Sequence, residues 1–470
     1  MSRFGKDDGP GVRRARLVLL AGSAAVAVIA ALLLVRGDRV WRAAYPYLPA
    51  KVQAAPYKLR EVLPGSDATP VPLPTVAGVH RAPPELGLMA AGSAAAETSA
   101  TGRVAPTANL MPDGRSTPTA GAAPAARPTQ TAPLAATQRL APTAPAPEAE
   151  PTVPSAAPLE LPPDVELRGL RHEYQTWNNC GPATISMALS YFGLQGGQAE
   201  AATHLKPDPN DKNVSPDELA RYARDRGLRA LVRVDGSDQI LRSLLALGLP
   251  VVVETWFVPE PGDEMGHYRV LVGYSDADHS YVAEDSYNGS GVALDYSEFD
   301  RLWRVFNRTY VVVYPDELSG SVEAAVGGAM DDATMYAGAV ERAQGELSAP
   351  GGSADGYAWF NLGGGLLGLG DSAGAVAAYD RARDLGLPWR MLWYQTGPFE
   401  AYAAEGRWAD VTALAEANLR NADNLEESIY WLGRALAAQG DAEGARGAWR
   451  RALELNPLYS PAADALGADG

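Results

Sequence analysis

Residues 175–184 read Gln175-Thr176-Trp177-Asn178-Asn179-Cys180-Gly181-Pro182-Ala183-Thr184 and contain the single cysteine of the 470-residue chain. Proline is favoured in the first turn of a helix and glycine just beyond its end. Pro182 and Gly193 therefore predict a helix that runs to about Phe192, with Cys180 at its N-terminus. One cysteine excludes an intramolecular disulfide and any metal site that needs several thiolates.

Two alternating apolar and polar runs follow further along the chain, His267–Tyr274 and Ser280–Asp285. The residues between them, Ser275-Asp276-Ala277-Asp278-His279, favour a turn. Short alternating runs separated by such a turn predict an antiparallel hairpin. The hairpin would bring His267 close to Asp285.

Other segments predict the rest of an α+β domain over residues 165–315. Ser215-Pro216-Asp217-Glu218 has the pattern of a capping box with proline at the first helical position, and Gly227 ends that helix. The remaining predicted elements are a strand Arg229–Val234, a helix Ser237–Leu247, a strand Pro250–Val258, a short helix Ser297–Phe306 and a strand Thr309–Tyr314.

The 175–184 segment, Gly266-His267-Tyr268-Arg269-Val270-Leu271-Val272-Gly273-Tyr274 and Tyr281-Val282-Ala283-Glu284-Asp285 together resemble the C39-like family of papain-like cysteine peptidases. The resemblance implies that Cys180 is the nucleophile and His267 the base. It also implies that Asp285 orients the base and that Gln175 is an oxyanion donor. Two positions depart from the family pattern: Ser286 stands where proline is common, and Gln175 precedes Cys180 by five positions, one fewer than in papain.

The chemistry of a thiol nucleophile agrees with these roles. A thiol with a pKa near 8.5 is mostly protonated at neutral pH, and a helix N-terminus with a neighbouring imidazolium stabilises the thiolate. The side-chain amide of Gln175 and the backbone N–H of Cys180 can bind the oxyanion that forms on attack.

Each of these residues also has a purely structural interpretation. A cysteine at a helix start is often a small buried hydrophobe. His172 and His279 are alternative bases, although His279 falls in the turn among aspartates and is expected to be solvated. Asp276, Asp278 and Asp285 do not have the spacing of a calcium loop, so no metal or cofactor is expected.

Nineteen consecutive residues, Leu17–Val35, are apolar, glycine or serine. This length is close to the roughly 20 residues that cross a bilayer as a helix. The run ends in Arg36 and Asp38 without a small-residue cleavage site, which favours an uncleaved transmembrane anchor over a removed signal peptide. We expect residues 1–16 in the cytoplasm and the C-terminal domains on the other side of the cell membrane.

Residues 36–164 are rich in Pro, Ala and Thr, and 23 of the 37 prolines lie between Trp41 and Val165. Such low hydrophobicity predicts a disordered linker. The net charge of −16, without a basic block in the globular part, disfavours nucleic acid as a partner.

The dipeptides Gly370-Asp371, Gly406-Arg407 and Gly440-Asp441 are separated by 36 and 34 residues. Because 34 is the tetratricopeptide period, we predict helical repeats over residues 325–465. Such repeats dock a peptide or protein partner, or they only stabilise the chain. Every candidate catalytic residue precedes Pro315, so the repeats are expected to take no part in the chemistry.

The sequence therefore predicts a membrane-anchored, extracytoplasmic thiol hydrolase, a cysteine peptidase that cleaves a peptide or a related amide. The alternative is a catalytically inactive C39-like domain that binds peptides or assembles partners through the repeats.

Overall fold

The computed structural model describes residues 70–76, 161–208, 211–259 and 263–468. The predicted membrane helix and most of the predicted linker lie outside these residues. Within them, no helix is long and apolar enough to span a membrane. All of these described residues belong to one compact unit of the chain.

An α+β domain occupies residues 164–314. Its strands are β1 (Asp164–Glu166), β2 (Arg229–Arg233), β3 (Val251–Phe257), β4 (Met265–Ser275), β5 (Ser280–Asp285), β6 (Gly289–Asp295) and β7 (Tyr310–Tyr314). Its helices are α1 (Cys180–Tyr191), α2 (Gln198–Leu205), α3 (Pro216–Asp225), α4 (Asp238–Ala246) and α5 (Tyr296–Trp303). The strands form one antiparallel sheet in the order β2-β7-β3-β4-β5-β6, and β1 pairs with β4.

The hairpin predicted from the sequence is formed by β4 and β5. Its register pairs Tyr274 with Tyr281 and Val270 with Glu284, so Asp285 lies one position beyond the last pair. Side chains alternate between the two faces of a strand, and His267 and Arg269 therefore share a face of β4.

Helix α1 is the buried helix of the domain. All residues from Gly181 to Leu189 are buried. Its apolar side chains pack in one core cluster with residues of β3, β4 and β7, including Val252, Val270 and Val311. This packing fixes the N-terminus of α1, and with it Cys180, beside the strand that carries His267.

The other sequence predictions agree with the structure to within one residue at each end, counting the 3-10 turn Arg304–Phe306 as part of the predicted helix. The capping box is confirmed, because Ser215 and Glu218 exchange side-chain to backbone hydrogen bonds at the start of α3. The sequence patterns missed β1, α2 and β6. Strand β6 reads Gly-Ser-Gly-Val-Ala-Leu-Asp, which lacks clear apolar alternation.

Helices continue through the rest of the described chain. They are α6 (Ser319–Val326), α7 (Asp332–Ser348), α8 (Gly356–Gly368), α9 (Ser372–Leu385), α10 (Met391–Tyr394), α11 (Gly397–Ala404), α12 (Trp408–Asn421), α13 (Glu426–Ala438), α14 (Ala442–Leu455) and α15 (Ser460–Ala468). Three pairs repeat: α8 with α9, α11 with α12, and α13 with α14. Gly370, Gly406 and Gly440 turn the chain between the helices of each pair with φ of +82°, +68° and +88°, which glycine adopts without steric cost.

The repeats and the α+β domain share one apolar core. Trp256 and Phe306 of the domain lie in the same cluster as Phe360 and Tyr379 of the repeats. Polar contacts join the two parts as well: Asn361 Nδ2 donates to the Arg304 carbonyl at 2.7 Å, Gln395 Nε2 donates to the Val305 carbonyl at 3.0 Å, and Arg342 pairs with Asp235. The repeats are therefore packed onto the domain.

A group of carboxylates is buried where α13 meets α3. Asn456 Nδ2 donates to Glu426 Oε1 at 3.0 Å and to Glu218 Oε1 at 3.3 Å. Burial, together with the charge of Glu218, raises the pKa of Glu426 to about 7 against the opposing hydrogen bond from Asn456. This contact between domain and repeats therefore favours the protonated form of Glu426.

Residues 70–76 of the predicted linker lie against the repeats. Leu73 is buried and belongs to the core shared by the repeats and the domain. Asn421 and Arg383 bond to the backbone of this segment. These seven residues depart from the disordered linker that the composition predicts, because an apolar side chain and backbone hydrogen bonds hold them in place.

Candidate active site

Cys180 is the first residue of α1 and is half-buried. At this position the positive end of the helix dipole favours the ionised form of the thiol. The sequence places the cysteine here because Pro182 needs no backbone donor in the first turn. The described structure thus supplies one of the two conditions for an activated thiol.

His267 supplies the second condition. It is buried on β4, opposite Thr255 of β3. Its Nε2 lies 2.9 Å from Asp285 Oδ1, and the imidazole lowers the pKa of the Cys180 thiol. Since Nε2 is bonded to Asp285, Nδ1 is the ring nitrogen that remains to exchange a proton with Cys180. Phe257 covers the imidazole, with ring centroids 5.0 Å apart.

Asp285 is fully buried and accepts several hydrogen bonds. Oδ1 binds His267 and accepts from the backbone N–H groups of Tyr287 and Asn288 at 2.8 and 2.9 Å. Oδ2 accepts from Arg269 Nε at 2.8 Å and from Asn288 Nδ2 at 2.9 Å. Burial opposes ionisation, but the charge and hydrogen bond of His267 and the charge of Arg269 hold the pKa of Asp285 far below its usual range.

Arg269 was missed by the sequence reasoning. It is 5% exposed and also bonds to Thr255 Oγ1. A signal was present in the sequence, because residues i and i+2 of a strand share a face and Arg269 follows His267 at that spacing. An arginine among buried strand positions indicates a buried anion opposite, which here is Asp285.

The pKa values of Cys180 and His267 move in opposite directions. Burial opposes ionisation of the thiol, but the hydrogen bond and charge of His267 outweigh it and lower the pKa of Cys180. Burial likewise opposes protonation of the imidazole, but the charge of Asp285 and the hydrogen bonds to Asp285 and Cys180 raise the pKa of His267. Both shifts favour a thiolate beside an imidazolium.

Gln175 is held next to Asp285 through Ser286. The Gln175 backbone N–H donates to the Ser286 carbonyl at 2.8 Å, and the Ser286 hydroxyl donates to Gln175 Oε1 at 2.8 Å. Because Oε1 accepts this bond, the Nε2 protons of the amide are the part of the side chain that remains for substrate. Ser286, which replaces the proline expected from the family pattern, thus fixes the orientation of the amide.

The structure separates the alternative bases from Cys180. His172 Nδ1 lies 2.7 Å from Glu284 Oε2. Glu284 neighbours Asp285 in β5, and neighbouring side chains of a strand point to opposite faces. His279 is exposed in the turn with a φ of +50°. Among the described residues, no group of three or more His, Cys, Asp or Glu side chains could hold a metal ion.

A small cavity adjoins Cys180. Its lining includes Cys180, Lys206, Glu254, Gly266, Tyr268 and Tyr394. Its volume is about 10 Å³, close to the space that one water molecule needs. Tyr394 belongs to α10 in the repeat region, so the repeats contribute a wall of this cavity although every predicted catalytic residue precedes Pro315.

Glu254 and Lys206 are among the ionisable groups that line this cavity. Burial and the charge of Cys180 raise the pKa of Glu254 well above its usual range, against the hydrogen bond with Tyr268. A neutral carboxyl at Glu254 adds no negative charge beside a thiolate. Burial lowers the pKa of Lys206 to about 8, and the positive charge of Lys206 in turn lowers that of Cys180.

Residues 167–311 match the Peptidase_C39 like family. Residues 426–459 match the tetratricopeptide repeat. The C39-like domain followed by tetratricopeptide repeats is the organisation that the sequence motifs predicted. Comparison with curated proteins gave no match.

Three solved structures are similar to parts of the chain. A protein described as a C39-like peptidase from Bacillus anthracis is 19% identical, covering 32% of this chain and 96% of its own, with a TM-score of 0.28. A double glycine motif protease from an AMS/PCAT transporter, in complex with its leader peptide, is 18% identical over 32% of this chain and 98% of its own, with a TM-score of 0.25. YrrB, a tetratricopeptide repeat protein with an unusual peptide-binding site, is 17% identical over 32% of this chain and 76% of its own, with a TM-score of 0.26.

Proposed function

We propose that the C39-like domain is a cysteine peptidase, or a related thiol amidase, with Cys180 as nucleophile. One observation carries the proposal. His267 bonds to the buried carboxylate of Asp285 and lowers the pKa of the Cys180 thiol, which is the arrangement that activates a nucleophile and orients its base.

In the proposed reaction His267 takes the proton of the Cys180 thiol, and the thiolate attacks the carbonyl carbon of the scissile amide. A C–S bond forms while the carbonyl π electrons move to oxygen. Collapse of this intermediate expels the amine, which takes its proton from His267 and leaves a thioester. A water molecule then gives a proton to His267 and attacks the thioester carbon. The C–S bond breaks, the acid is released, and the departing Cys180 thiolate takes the proton back from His267.

Gln175 Nε2 and the backbone N–H of Cys180 are the proposed donors to the oxyanion. Fixed donors of this kind stabilise charge that appears only in the transition state, and loss of one costs on the order of 10² to 10³ in rate. The hydrogen bond from Ser286 to Gln175 Oε1 supports this role, because it keeps the donating side of the amide from rotating away.

A second candidate function is peptide binding without cleavage. The small cavity beside Cys180 favours it, since about 10 Å³ holds a water molecule but no substrate side chain. In this alternative the domain and the repeats capture a peptide or protein partner, and Cys180 is a packed thiol.

The alkylation rate of Cys180, measured against pH in the full chain, distinguishes the two functions. Because the chain has one cysteine, iodoacetamide reports on Cys180 without background. Peptidase function requires fast alkylation well below the ordinary thiol pKa of about 8.5, and loss of that reactivity in His267→Ala. The exposed His279→Ala is the matched control and should behave as the unaltered chain. An ordinary thiol profile in all three proteins would support binding without cleavage.

We also propose that Leu17–Val35 anchors the chain in the cell membrane with the C39-like domain and the repeats outside the cytoplasm. The apolar run and its length support this location. Protease added to intact spheroplasts should digest both C-terminal domains. Their protection would contradict the orientation, and a mature N-terminus after Val35 would contradict the anchor.

A further inference from the structure

Seven residues of the proline-rich segment, Pro70-Val71-Pro72-Leu73-Pro74-Thr75-Val76, lie on the second helices of the first two repeat pairs, α9 and α12. Pro70, Pro72 and Thr75 are exposed, whereas Leu73 is 8% exposed and packs into the apolar core. The segment thus inserts one aliphatic side chain between Pro72 and Pro74.

Asn421, the last residue of α12, binds both backbone groups of one residue in the segment. The Val71 N–H donates to Asn421 Oδ1 at 2.8 Å, and Asn421 Nδ2 donates to the Val71 carbonyl at 2.9 Å. The side-chain amide therefore bonds as a neighbouring strand would in a sheet. Two such bonds are satisfied only by an extended backbone in one register.

The end of α9 binds the second half of the segment. Arg383 Nε donates to the Pro74 carbonyl at 2.9 Å, and the Val76 N–H donates to Asp384 Oδ1 at 3.2 Å. With the two bonds from Asn421, four hydrogen bonds hold the backbone of Val71, Pro74 and Val76.

Contacts with other residues of the repeats hold the Arg383 side chain in place. Its side chain is 3% exposed, and its Nη1 lies 2.8 Å from Asp410 Oδ1. The guanidinium also lies over the ring of Tyr402, 5.0 Å from the centroid. A buried arginine held on two sides presents its Nε in one direction at little cost in side-chain entropy.

The opposite side of the repeats is already occupied. Asn361 of α8 bonds to Arg304, and Glu427 of α13 lies 3.4 Å from Asn213 Nδ2. These first helices of the pairs therefore face the C39-like domain. The surface of α9 and α12 is a separate site.

We propose that the surface formed by the C-terminal ends of α9 and α12 is a binding site for an extended, proline-spaced peptide with an aliphatic residue between the prolines, and that the chain's own Pro70–Val76 is its resident ligand. Prolines suit such a site because they pre-set an extended backbone and reduce the entropy lost on binding. They also lack an N–H, and the two N–H groups bound here belong to Val71 and Val76. This deepens the proposed role of the repeats and is independent of Cys180 chemistry.

The test measures binding of a fluorescein-labelled synthetic peptide of residues 68–78 to the purified full chain by fluorescence anisotropy. Leu73→Asp in the chain should release the resident segment and raise the affinity for the added peptide about tenfold or more, because an intramolecular competitor is removed. Adding Asn421→Ala to that variant should weaken binding about tenfold or more, through loss of two hydrogen bonds. Arg420→Ala, an exposed neighbour on the same turn, should change it less than about twofold.

The thermal midpoint of each variant shows whether it is folded. If Leu73→Asp fails to fold, Val71→Pro takes its place, because it removes the N–H that bonds to Asn421. Three results would overturn the proposal. The peptide could bind the unaltered chain as tightly as the Leu73→Asp or Val71→Pro chain, it could bind equally with and without Asn421→Ala, or it could bind neither the Leu73→Asp nor the Val71→Pro chain. A dimer that Leu73→Asp converts to monomer would overturn occupation by the same chain. The Cys180 alkylation rate, measured in parallel, reports separately on the proposed peptidase.

Discussion

Arg269 Nε lies 2.8 Å from Asp285 Oδ2, the carboxylate oxygen opposite to the one that binds His267. Both side chains of this ion pair are buried. The arginine therefore neutralises the carboxylate and fixes its plane, while the other oxygen orients the imidazole. Loss of one partner leaves an uncompensated charge in the interior, which is the costly change for a buried pair.

Arg269→Met should therefore lower the free energy of unfolding by about 3 to 5 kcal/mol. Urea unfolding of the full chain measures the change. Arg301→Ala removes an exposed ion pair with Glu298 and is the matched control, with an expected change below about 1 kcal/mol. A similar small effect for both variants would contradict the structural role of Arg269.

Amide hydrolysis should show a bell-shaped dependence on pH. The pKa of Cys180 is lowered, so the acid limb should lie below the ordinary thiol range, where the thiolate is protonated as pH falls. The pKa of His267 is raised, so the alkaline limb should lie above the ordinary histidine value, where the imidazolium loses its proton as pH rises. The measurement is kcat/KM for a peptide substrate across pH. An acid limb at the ordinary thiol pKa would contradict a thiolate at Cys180 paired with an imidazolium at His267.

Gln175→Ala should lower kcat on the order of 10² to 10³-fold, since an oxyanion donor acts only in the transition state. Ser286→Ala should give a smaller loss in the same direction, because the amide remains but can rotate. Neither change should alter the alkylation rate of Cys180, because alkylation of the thiol forms no oxyanion. A parallel loss of alkylation and hydrolysis would instead indicate disturbance of the thiol itself.

Gly266→Ala should push Tyr394, and with it the repeats, away from the C39-like domain. A Cβ at this position would lie 3.0 Å from the Tyr394 ring and 3.1 Å from Phe306. The expected cost is about 1 to 3 kcal/mol of unfolding free energy, as for other overpacked sites. Tyr394→Ala should relieve part of it, so the double variant should be more stable than the sum of the single losses predicts. Strict additivity would show that the two residues do not touch.

The unfolding free energy should fall as pH rises from about 4.5 to about 7. The pKa of Glu426 is raised from 4.5 to about 7 in the folded chain. A carboxyl whose pKa is higher in the folded chain favours its neutral form there. Its contribution to the unfolding free energy is therefore complete below the unfolded pKa and is lost as pH rises through the folded pKa. Glu426→Gln should reduce this slope. The exposed Glu454→Gln should leave it unchanged.

Much of the fold and of the candidate site could be predicted from local sequence patterns. The helix start at Cys180, the capping box at Ser215 and the hairpin that joins His267 to Asp285 depend on residues close together in sequence. Their geometry follows from helix capping and strand alternation. The family model at residues 167–311 agrees with that reasoning.

Contacts between distant segments could not be predicted in the same way. Tyr394 reaches the cavity beside Cys180 only because the repeats pack on the domain, and no periodicity encodes that docking. Leu73 likewise lies in a segment whose composition indicates disorder. Its burial depends on Asn421 and Arg383, more than 300 positions away.

The docking of Pro70–Val76 sets a shorter distance limit from the bilayer if Leu17–Val35 is an anchor. Without it, residues 36–160 could extend up to about 450 Å before the C39-like domain begins, at roughly 3.6 Å per residue. With it, only residues 36–69 separate the membrane from the repeats, at most about 120 Å. The bound segment would thus confine the C39-like domain to the zone next to the membrane, and release of its seven residues would increase the largest distance that the domain can reach nearly fourfold.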